Sequence, residues 1–165
     1  MSQTVVAVSQ TSIRIRPATE RDTSFIEELY ERVETTGAPA WHLVGDDVVH
    51  STHWLPAVLA GQAEDQVLLV AETPEGTRLG YTWVVTLTDF DMTSPHGHIA
   101  NVGVAIGAEG QGVGSLLVQA GEDWCRSRGL TEVTLHVYMD NERAHRLYDR
   151  LGFQDQWYQM RKGLD

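Results

Sequence analysis

A glycine-rich turn stands near the middle of this sequence. It runs Gly110-Gln111-Gly112-Val113-Gly114-Ser115, after an apolar stretch and before apolar residues at helical spacing. Alternating glycines at such a turn expose successive backbone N–H groups with no Cβ in the way, at the positive end of the helix that follows. The turn is therefore suited to bind a diphosphate, although a plain tight turn would carry the same residues.

The spacing around this turn disfavours two common nucleotide-binding motifs. The Walker motif needs a lysine after its last glycine, and the only lysine of the chain is Lys162. The dinucleotide-binding motif follows the first strand of a strand–helix–strand unit, whereas several predicted strands precede this turn. The sequence predicts a phosphate site of another kind.

The turn and a second motif downstream resemble the GNAT superfamily of acyl-CoA-dependent N-acyltransferases. In the family the turn reads Arg/Gln-x-x-Gly-x-Gly/Ala after a strand that ends in Leu-Ala-Val. Here Val102-Gly103-Val104 stands for the strand end, and Gly112 and Gly114 stand for the two glycines. The second motif, Asn-x-x-Ala-x-x-x-Tyr-x-x-x-Gly-Phe, is matched by Asn141, Ala144, Tyr148, Gly152 and Phe153.

The resemblance implies that acetyl-CoA is the cosubstrate. Its diphosphate would lie on the N–H groups of Gly110 to Ser115, and its pantetheine arm would pair with the backbone of Val102 and Val104 as an added strand. In the family the thioester lies in a slot between two strands that splay apart. Asn141 would line this slot, and it also suits an ordinary helix N-cap. The expected cofactor-binding residues are Val102, Gly103, Val104, Glu109, Gly110, Gln111, Gly112, Val113, Gly114, Ser115, Asn141 and Ala144.

Glu109 departs from the family pattern, which has Arg or Gln at this position. A carboxylate about 4 Å from a phosphate costs roughly 1 kcal/mol in water and about 4 kcal/mol at a surface-like dielectric. We expect Glu109 to turn away from the cofactor and to meet the N-terminus of the following helix, where a negative charge is favourable.

Tyr148 and His98 are the candidates for proton transfer. An alkyl amine with a pKa of about 10.4 is neutral only about one time in 10³ at pH 7, so a base must deprotonate it. The resemblance places the acid at Tyr148, whose phenol would protonate the leaving thiolate; the alternative is a tyrosine packed on its helix. His98 is our candidate base, and the alternative is a strand-end histidine facing solvent. The arylalkylamine branch of the family has a histidine near this spacing and a second one two residues along, where this chain has Ala100.

Other chemistry-bearing residues suggest less. His50 with His53, or His96 with His98, lacks the carboxylate or cysteine framework of a metal site, so no metal is expected. Cys125 follows the apolar Trp124 and has no spaced histidine partner, and we expect it in the core or on a helix surface.

The elements that must position these residues follow from periodicity and breakers. The sequence predicts strands over 12–16, 66–72, 78–88, 98–106, 131–137 and 156–163. It predicts a helix capped by Thr19, two helical pieces within 41–61 separated at Pro56, a helix over 113–128 and a helix over 141–151. The buried stripe of the helix over 113–128 is expected to be Val113, Leu116, Leu117, Ala120 and Trp124.

This order predicts a single α/β domain with a GNAT-like, mixed and mostly antiparallel sheet flanked by helices. In the family the sheet is splayed, here between the strand 98–106 and the strand 131–137. Residues 1–10 are expected to be a flexible tail or an edge strand, and residues 11–165 the acetyltransferase domain.

Composition narrows the function class. The formal net charge is −11, which argues against nucleic-acid binding. It weakly favours cationic small molecules, and the alternative that explains most of this charge is that it keeps the protein in solution. No apolar run reaches the roughly 20 residues of a membrane span. One cysteine permits no internal disulfide, and we expect a cytoplasmic, bacterial-style enzyme without a membrane partner.

Several alternatives stay open. The leading hypothesis is an N-acetyltransferase that acts on a small-molecule amine by direct attack in a ternary complex. A non-catalytic acyl-CoA sensor and an acetyltransferase of protein N-termini compete with it, and a nucleotide-binding regulator is disfavoured. The acceptor would be chosen by 33–61 and by a loop over 89–97, with Trp41, Trp54 and Trp83 as candidate pocket residues. The short chain after Phe153 leaves an edge that a second subunit could cover as a homodimer.

Overall fold

Among the residues that the structure describes, five strands form one sheet in the order of the chain. The computed structural model describes residues 12–35, 54–60, 65–88, 94–160 and 162. The strands are β1 (Arg14–Pro17), β2 (Gln66–Glu72), β3 (Arg78–Leu87), β4 (His96–Val104) and β5 (Val133–Leu135). Neighbours from β1 to β4 are antiparallel, and β5 lies parallel to β4. The predicted mixed, mostly antiparallel sheet is confirmed.

The described residues also form four α-helices, which cover the two faces of the sheet. They are α1 (Thr23–Thr35), α2 (Trp54–Ala60), α3 (Val113–Ser127) and α4 (Glu142–Arg150). On one face, Ile26 of α1 and Leu55 of α2 pack against Tyr81 of β3. On the other face, Val118 of α3 packs against Val84, and Tyr148 of α4 joins the same cluster. Burial of these apolar stripes against the sheet produces the three layers.

The entry to α1 is the predicted one. Thr19 and Asp22 form a capping box at a short 3-10 turn, Glu20–Asp22, that leads into α1. Asp22 is fully buried, and its carboxylate accepts hydrogen bonds from Arg16 and Arg78. Burial by itself would raise the pKa of Asp22, but these hydrogen bonds outweigh it and hold that pKa well below its usual range.

β4 and β5 separate soon after they meet. Their ladder joins Gly97 to Val133, His98 to Thr134 and Ile99 to Leu135, after which β5 ends. β4 continues to Val104, so its second edge faces no strand among the described residues beyond Ile99. The predicted splay is present at this point.

The structure corrects several boundaries. β4 begins and ends two residues earlier than predicted, and β5 is confined to 133–135. The predicted last strand is wrong over 156–160 and 162, which are described and contain no strand. Leu116 was expected in the buried stripe of α3, but it is 38% exposed because it lies on the outer side of the helix.

The second helical piece begins beside its proline. Pro56 is the third residue of α2, in the first turn, where a missing N–H costs no helical hydrogen bond. The predictions for 1–11, 41–53 and 61–64 lie outside the described residues, as do those for 89–93. In the part of the chain that the structure describes, no helix is long and apolar enough to cross a membrane.

Candidate active site

The open edge of β4 presents backbone groups of the predicted residues. Ala105 donates its N–H to Leu79 O at 2.8 Å. Because hydrogen bonding alternates along an antiparallel strand, Gly103 also faces β3, whereas Val102 and Val104 direct their N–H and C=O groups to the other edge. An extended ligand with amide groups can therefore add to β4 beside Val102 and Val104.

Gly103 has a packing role in the structure. A Cβ on Gly103 would lie 2.8 Å from Leu29 Cγ of α1 and 2.7 Å from a ring atom of Tyr81. Only glycine therefore allows α1 to approach β4 so closely. Its assignment as a cofactor-binding residue stays a prediction.

The glycine turn leaves its outer side open. Gly110 and Gly112 have φ of 75° and 82°, a left-handed backbone that glycine adopts without strain. The first hydrogen bond into α3 runs from Leu116 N to Gly112 O, so the N–H groups of 113–115 have no acceptor within the helix. A Cβ on either glycine would meet no atom within 4 Å, so an anion has room to approach these donors.

The two sequence motifs meet at Gly114. A Cβ on Gly114 would lie 3.2 Å from Leu147 Cδ2 of α4 and 3.7 Å from Val104 Cγ2. The first turn of α3 therefore packs against both α4 and the end of β4. The glycine turn, the open strand edge and the helix that carries Tyr148 therefore lie next to one another.

Glu109 is held by two arginines. Its Oε1 lies 3.0 Å from Nη1 of Arg32 in α1, and its Oε2 lies 2.5 Å from Nη1 of Arg143 in α4. Arg143 and then Arg32 stabilise the charged carboxylate, and together they lower the pKa of Glu109 despite partial burial. Arg32 also donates from Nη2 to the carbonyl oxygen of Val104. The expected contact with the N-terminus of α3 is wrong, because the arginines take the carboxylate instead.

Arg32 and Arg143 are not among the residues that the two sequence motifs predict. Each arginine is far from Glu109 in the chain, and no periodic pattern connects them. The available signal in the sequence is Glu109 itself, because an acidic residue at this position calls for compensating cations nearby.

Asn141 acts as the N-cap of α4. Its Oδ1 accepts a hydrogen bond from the backbone N–H of Ala144 at 3.2 Å. The remaining turn residues lie where the motif places them: Val113 is buried, Ser115 is half-buried, and Gln111 is exposed and donates to Gly107 O. Their contacts with a cofactor stay predictions.

Tyr148 is half-buried on α4. Its ring meets the ring of Phe153 edge-on, with centroids 5.7 Å apart, and it packs in the cluster on the α3 face. Burial raises the pKa of Tyr148 above its usual value. The phenol therefore keeps its proton through neutral pH, and the packing role and the proton-donor role are compatible.

His98 is buried at the junction of β4 and β5. Gly97 and Ile99 face α3, so alternation directs His98 to the opposite face, towards α1 and α2. Its Nδ1 lies 2.8 Å from Thr134 Oγ1, and its ring centroid is 4.9 Å from that of His136. The solvent-facing alternative for His98 does not hold.

An aromatic group lies on the same face as His98. Trp54 and Trp83 stack with centroids 4.2 Å apart and planes 2° from parallel, and Tyr30 lies 5.4 Å from Trp54. All three side chains are half-buried. The third tryptophan of the prediction, Trp41, lies outside the described residues.

Within the described ranges, no three His, Cys, Asp or Glu side chains are grouped to hold a metal ion. Cys125 is buried in the α3-side core, as expected, and burial raises the pKa of its thiol. A neutral, enclosed thiol is a poor nucleophile.

A family model places this arrangement among known proteins. The model described as the acetyltransferase (GNAT) family matches residues 24–153, from the start of α1 to just after α4. The chain belongs to this family. The match contains both motifs and the splayed strands, so the resemblance found in the sequence is confirmed.

The similar curated proteins include an enzyme named for a small molecule, mycothiol. Mycothiol acetyltransferase of Rhodococcus erythropolis is 37% identical over 83 residues, which cover 50% of this chain and 28% of that protein. The chain thus spans between a quarter and about a third of the length of the curated relatives it matches.

Solved structures share the fold. The tetramutant of the BH1408 protein from Bacillus halodurans has a TM-score of 0.75 at 23% identity, over 92% of this chain and 99% of that one. The aminoglycoside N-acetyltransferase AAC(6')-Iy, in complex with the bisubstrate analog CoA-S-monomethyl-acetylneamine, has a TM-score of 0.67 at 18% identity over the same shares. These neighbours confirm the GNAT fold.

Proposed function

We propose that this chain transfers the acetyl group of acetyl-CoA to an amine of a small molecule, by direct attack in a ternary complex. The carrying observation is that the open edge of β4, at Val102 and Val104, runs directly to the glycine turn at the start of α3. An extended amide arm that ends in a diphosphate matches these two features in order. Family membership and a neighbour complexed with a CoA analog support the same cofactor.

The described residues fit acetyl-CoA. The N–H groups of 113–115 supply donors at a helix N-terminus, and the space outside Gly110 and Gly112 admits the diphosphate. Acetyl-CoA supplies the acetyl group as an activated thioester. Val102 and Val104 would orient the pantetheine arm so that the thioester lies in the gap between β4 and β5.

Two groups would move the protons. His98 would take a proton from the acceptor amine, whose nitrogen then forms the new bond to the acetyl carbon as the bond from carbon to sulfur breaks. Tyr148 would donate its phenolic proton to the departing sulfur. Tyr148 packs on the α3 face, and His98 alternates with Gly97 and Ile99 and so faces the opposite side, which suits an acceptor and a leaving group on opposite sides of the reacting carbon.

The acceptor would lie on the face of α1 and α2. His98 faces that side, and Tyr30, Trp54 and Trp83 offer half-buried rings there. Such rings bind apolar surface and attract cations, and the net charge of −11 favours a cationic acceptor as well. Relatives and neighbours named for mycothiol and aminoglycosides support a small-molecule amine.

Ligand-induced stabilisation followed by an amine panel tests this function. Acetyl-CoA at about 100 times its Kd should add about 2.7 kcal/mol to the free energy of unfolding, whereas ATP and NAD should add none. Transfer of the acetyl group to each amine is then measured as the free thiol of the coenzyme A that is released. Equal stabilisation by ATP would indicate a general phosphate binder. Binding of acetyl-CoA without transfer to any amine would favour the sensor.

A further inference from the structure

The two ion pairs of Glu109 span the entrance to the proposed cofactor slot, which lies along the open edge of β4. Arg32 comes from α1 on one face of the sheet, and Arg143 comes from the first turn of α4 on the other. Glu109 itself is the residue before the glycine turn. The three charges therefore link both faces at the point where the open edge of β4 meets the start of α3.

Arg32 also occupies a group that the cofactor would need. Its Nη2 donates to the carbonyl of Val104, which is one of the outward-facing backbone groups on the open edge of β4. An added strand must hydrogen bond to such carbonyls. A pantetheine arm paired along β4 would therefore compete with the Arg32 guanidinium for this oxygen.

The charges of Glu109, Arg32 and Arg143 explain how the entrance to the cofactor slot would open. Two guanidinium groups and one carboxylate carry a net charge of +1, and the pKa of Glu109 is lowered by the pairing, so the carboxylate is ionised at neutral pH. A diphosphate carries more charge than a carboxylate and accepts bidentate hydrogen bonds from arginine. All three side chains are at least a quarter exposed, so they can change partners without unfolding a buried core.

From these observations we propose that Arg32 and Arg143 are ligands of the phosphates of acetyl-CoA, and that Glu109 competes with those phosphates for both arginines. Glu109 closes the slot when it holds the arginines, and the cofactor opens it by replacing the carboxylate. This inference rests on the proposed function. It gives the acidic residue at the family's Arg/Gln position a role as a competitor.

Two matched variants on α4 test whether Arg143 binds the phosphates of acetyl-CoA. Arg143→Ala and Arg146→Ala remove the same charge from exposed positions one turn apart, but Arg146 pairs with Glu142 and not with Glu109. We expect Arg143→Ala to raise the Kd of acetyl-CoA about 10-fold or more, since a charge-assisted hydrogen bond is lost. Arg146→Ala should change it less than about twofold. S-acetylpantetheine, which lacks the phosphates, should bind wild type and Arg143→Ala equally.

A second matched pair tests the competition. Glu109→Gln should lower the Kd of acetyl-CoA severalfold at low salt, because the competing charge is gone, and the gain should shrink at high salt. Glu142→Gln removes the same charge from a neighbouring exposed site and should leave the Kd unchanged. Isothermal titration calorimetry gives each Kd without requiring turnover.

The outcomes separate this inference from the proposed function. If wild type fails to bind acetyl-CoA, both are overturned. If wild type binds but Arg143→Ala matches Arg146→Ala, the arginine is no phosphate ligand and this inference alone fails. Weaker binding by Glu109→Gln would overturn the competition, since it would mean that Glu109 positions the arginines for the cofactor.

Discussion

His98 and Thr134 lie opposite each other in the ladder that joins β4 to β5, with His98 Nδ1 2.8 Å from Thr134 Oγ1. The hydroxyl contacts Nδ1 and so restrains the orientation of the imidazole ring. The pair sits one residue before the strands separate. The register of a single parallel pairing thus orients the candidate base at the edge of the gap.

Thr134→Val tests whether this hydroxyl positions His98. Valine keeps the shape of the side chain but removes the hydrogen bond, and we expect kcat/KM to fall about 10-fold because the imidazole loses its fixed orientation. Thr134→Ser restores the hydroxyl and should recover most of the rate. Steady-state kinetics with the best amine of the panel would measure both; an equally slow serine variant would argue for a packing role.

His98→Gln tests whether His98 is the base. Glutamine cannot accept a proton at neutral pH, so the rate should fall and the acidic limb of the profile of kcat/KM against pH should flatten. A variant that keeps the limb of the wild type would transfer the role of base to another group or to water.

Tyr148→Phe tests whether Tyr148 is the acid. Phenylalanine keeps the ring and its contact with Phe153 but has no proton to give. We expect kcat to fall about 10²- to 10⁴-fold while the Kd of acetyl-CoA stays within about twofold. Calorimetry and single-turnover kinetics would separate the two quantities. A variant as fast as wild type would remove Tyr148 from the mechanism.

Gly112→Ala and Gly129→Ala form a matched pair for the diphosphate turn. Both glycines have left-handed φ, 82° and 74°, and a Cβ on either would meet no atom within 4 Å. Each variant should therefore lose a similar amount of unfolding free energy, about 1–2 kcal/mol, through backbone strain. Only Gly112→Ala should also weaken acetyl-CoA binding, because its Cβ points into the space that the diphosphate would use. Equal affinities would show that the ligand lies elsewhere.

The lowered pKa of the buried Asp22 carboxylate predicts that the protein loses stability in acid. Its folded pKa lies below the unfolded value of about 3.9, so its pairing stabilises the protein above that value and the stabilisation is lost as pH falls through the folded pKa. Asp22→Asn should cost about 3 kcal/mol at pH 7, since Arg16 and Arg78 lose a buried partner. Denaturant unfolding should show this deficit shrinking below about pH 4. Asp123→Asn, at a side chain that is 75% exposed, should show no comparable deficit.

Local signals were sufficient for much of the fold. The predicted boundaries of β2, 66–72, are correct because an apolar run between turn residues is typical of a buried strand. The caps at Thr19 and Asn141 were also predicted, since each depends on a side chain that bonds within three residues of itself. The glycine turn followed from glycine alone, because only that residue accepts left-handed φ without strain.

The tertiary structure decided the features that depend on distant partners. The Glu109 carboxylate was expected at the start of α3, where the helix dipole is favourable by at most about 1 kcal/mol on an exposed surface. Packing of α1 and α4 against the end of β4 instead brings Arg32 and Arg143 to it, and two charge-assisted hydrogen bonds are stronger than the dipole. The same holds for His98, since its partner Thr134 is set by the β4–β5 register. Residue types and local spacing determine which backbone conformations are favourable, whereas the packing of elements far apart in the chain determines which charges and hydrogen-bonding groups meet.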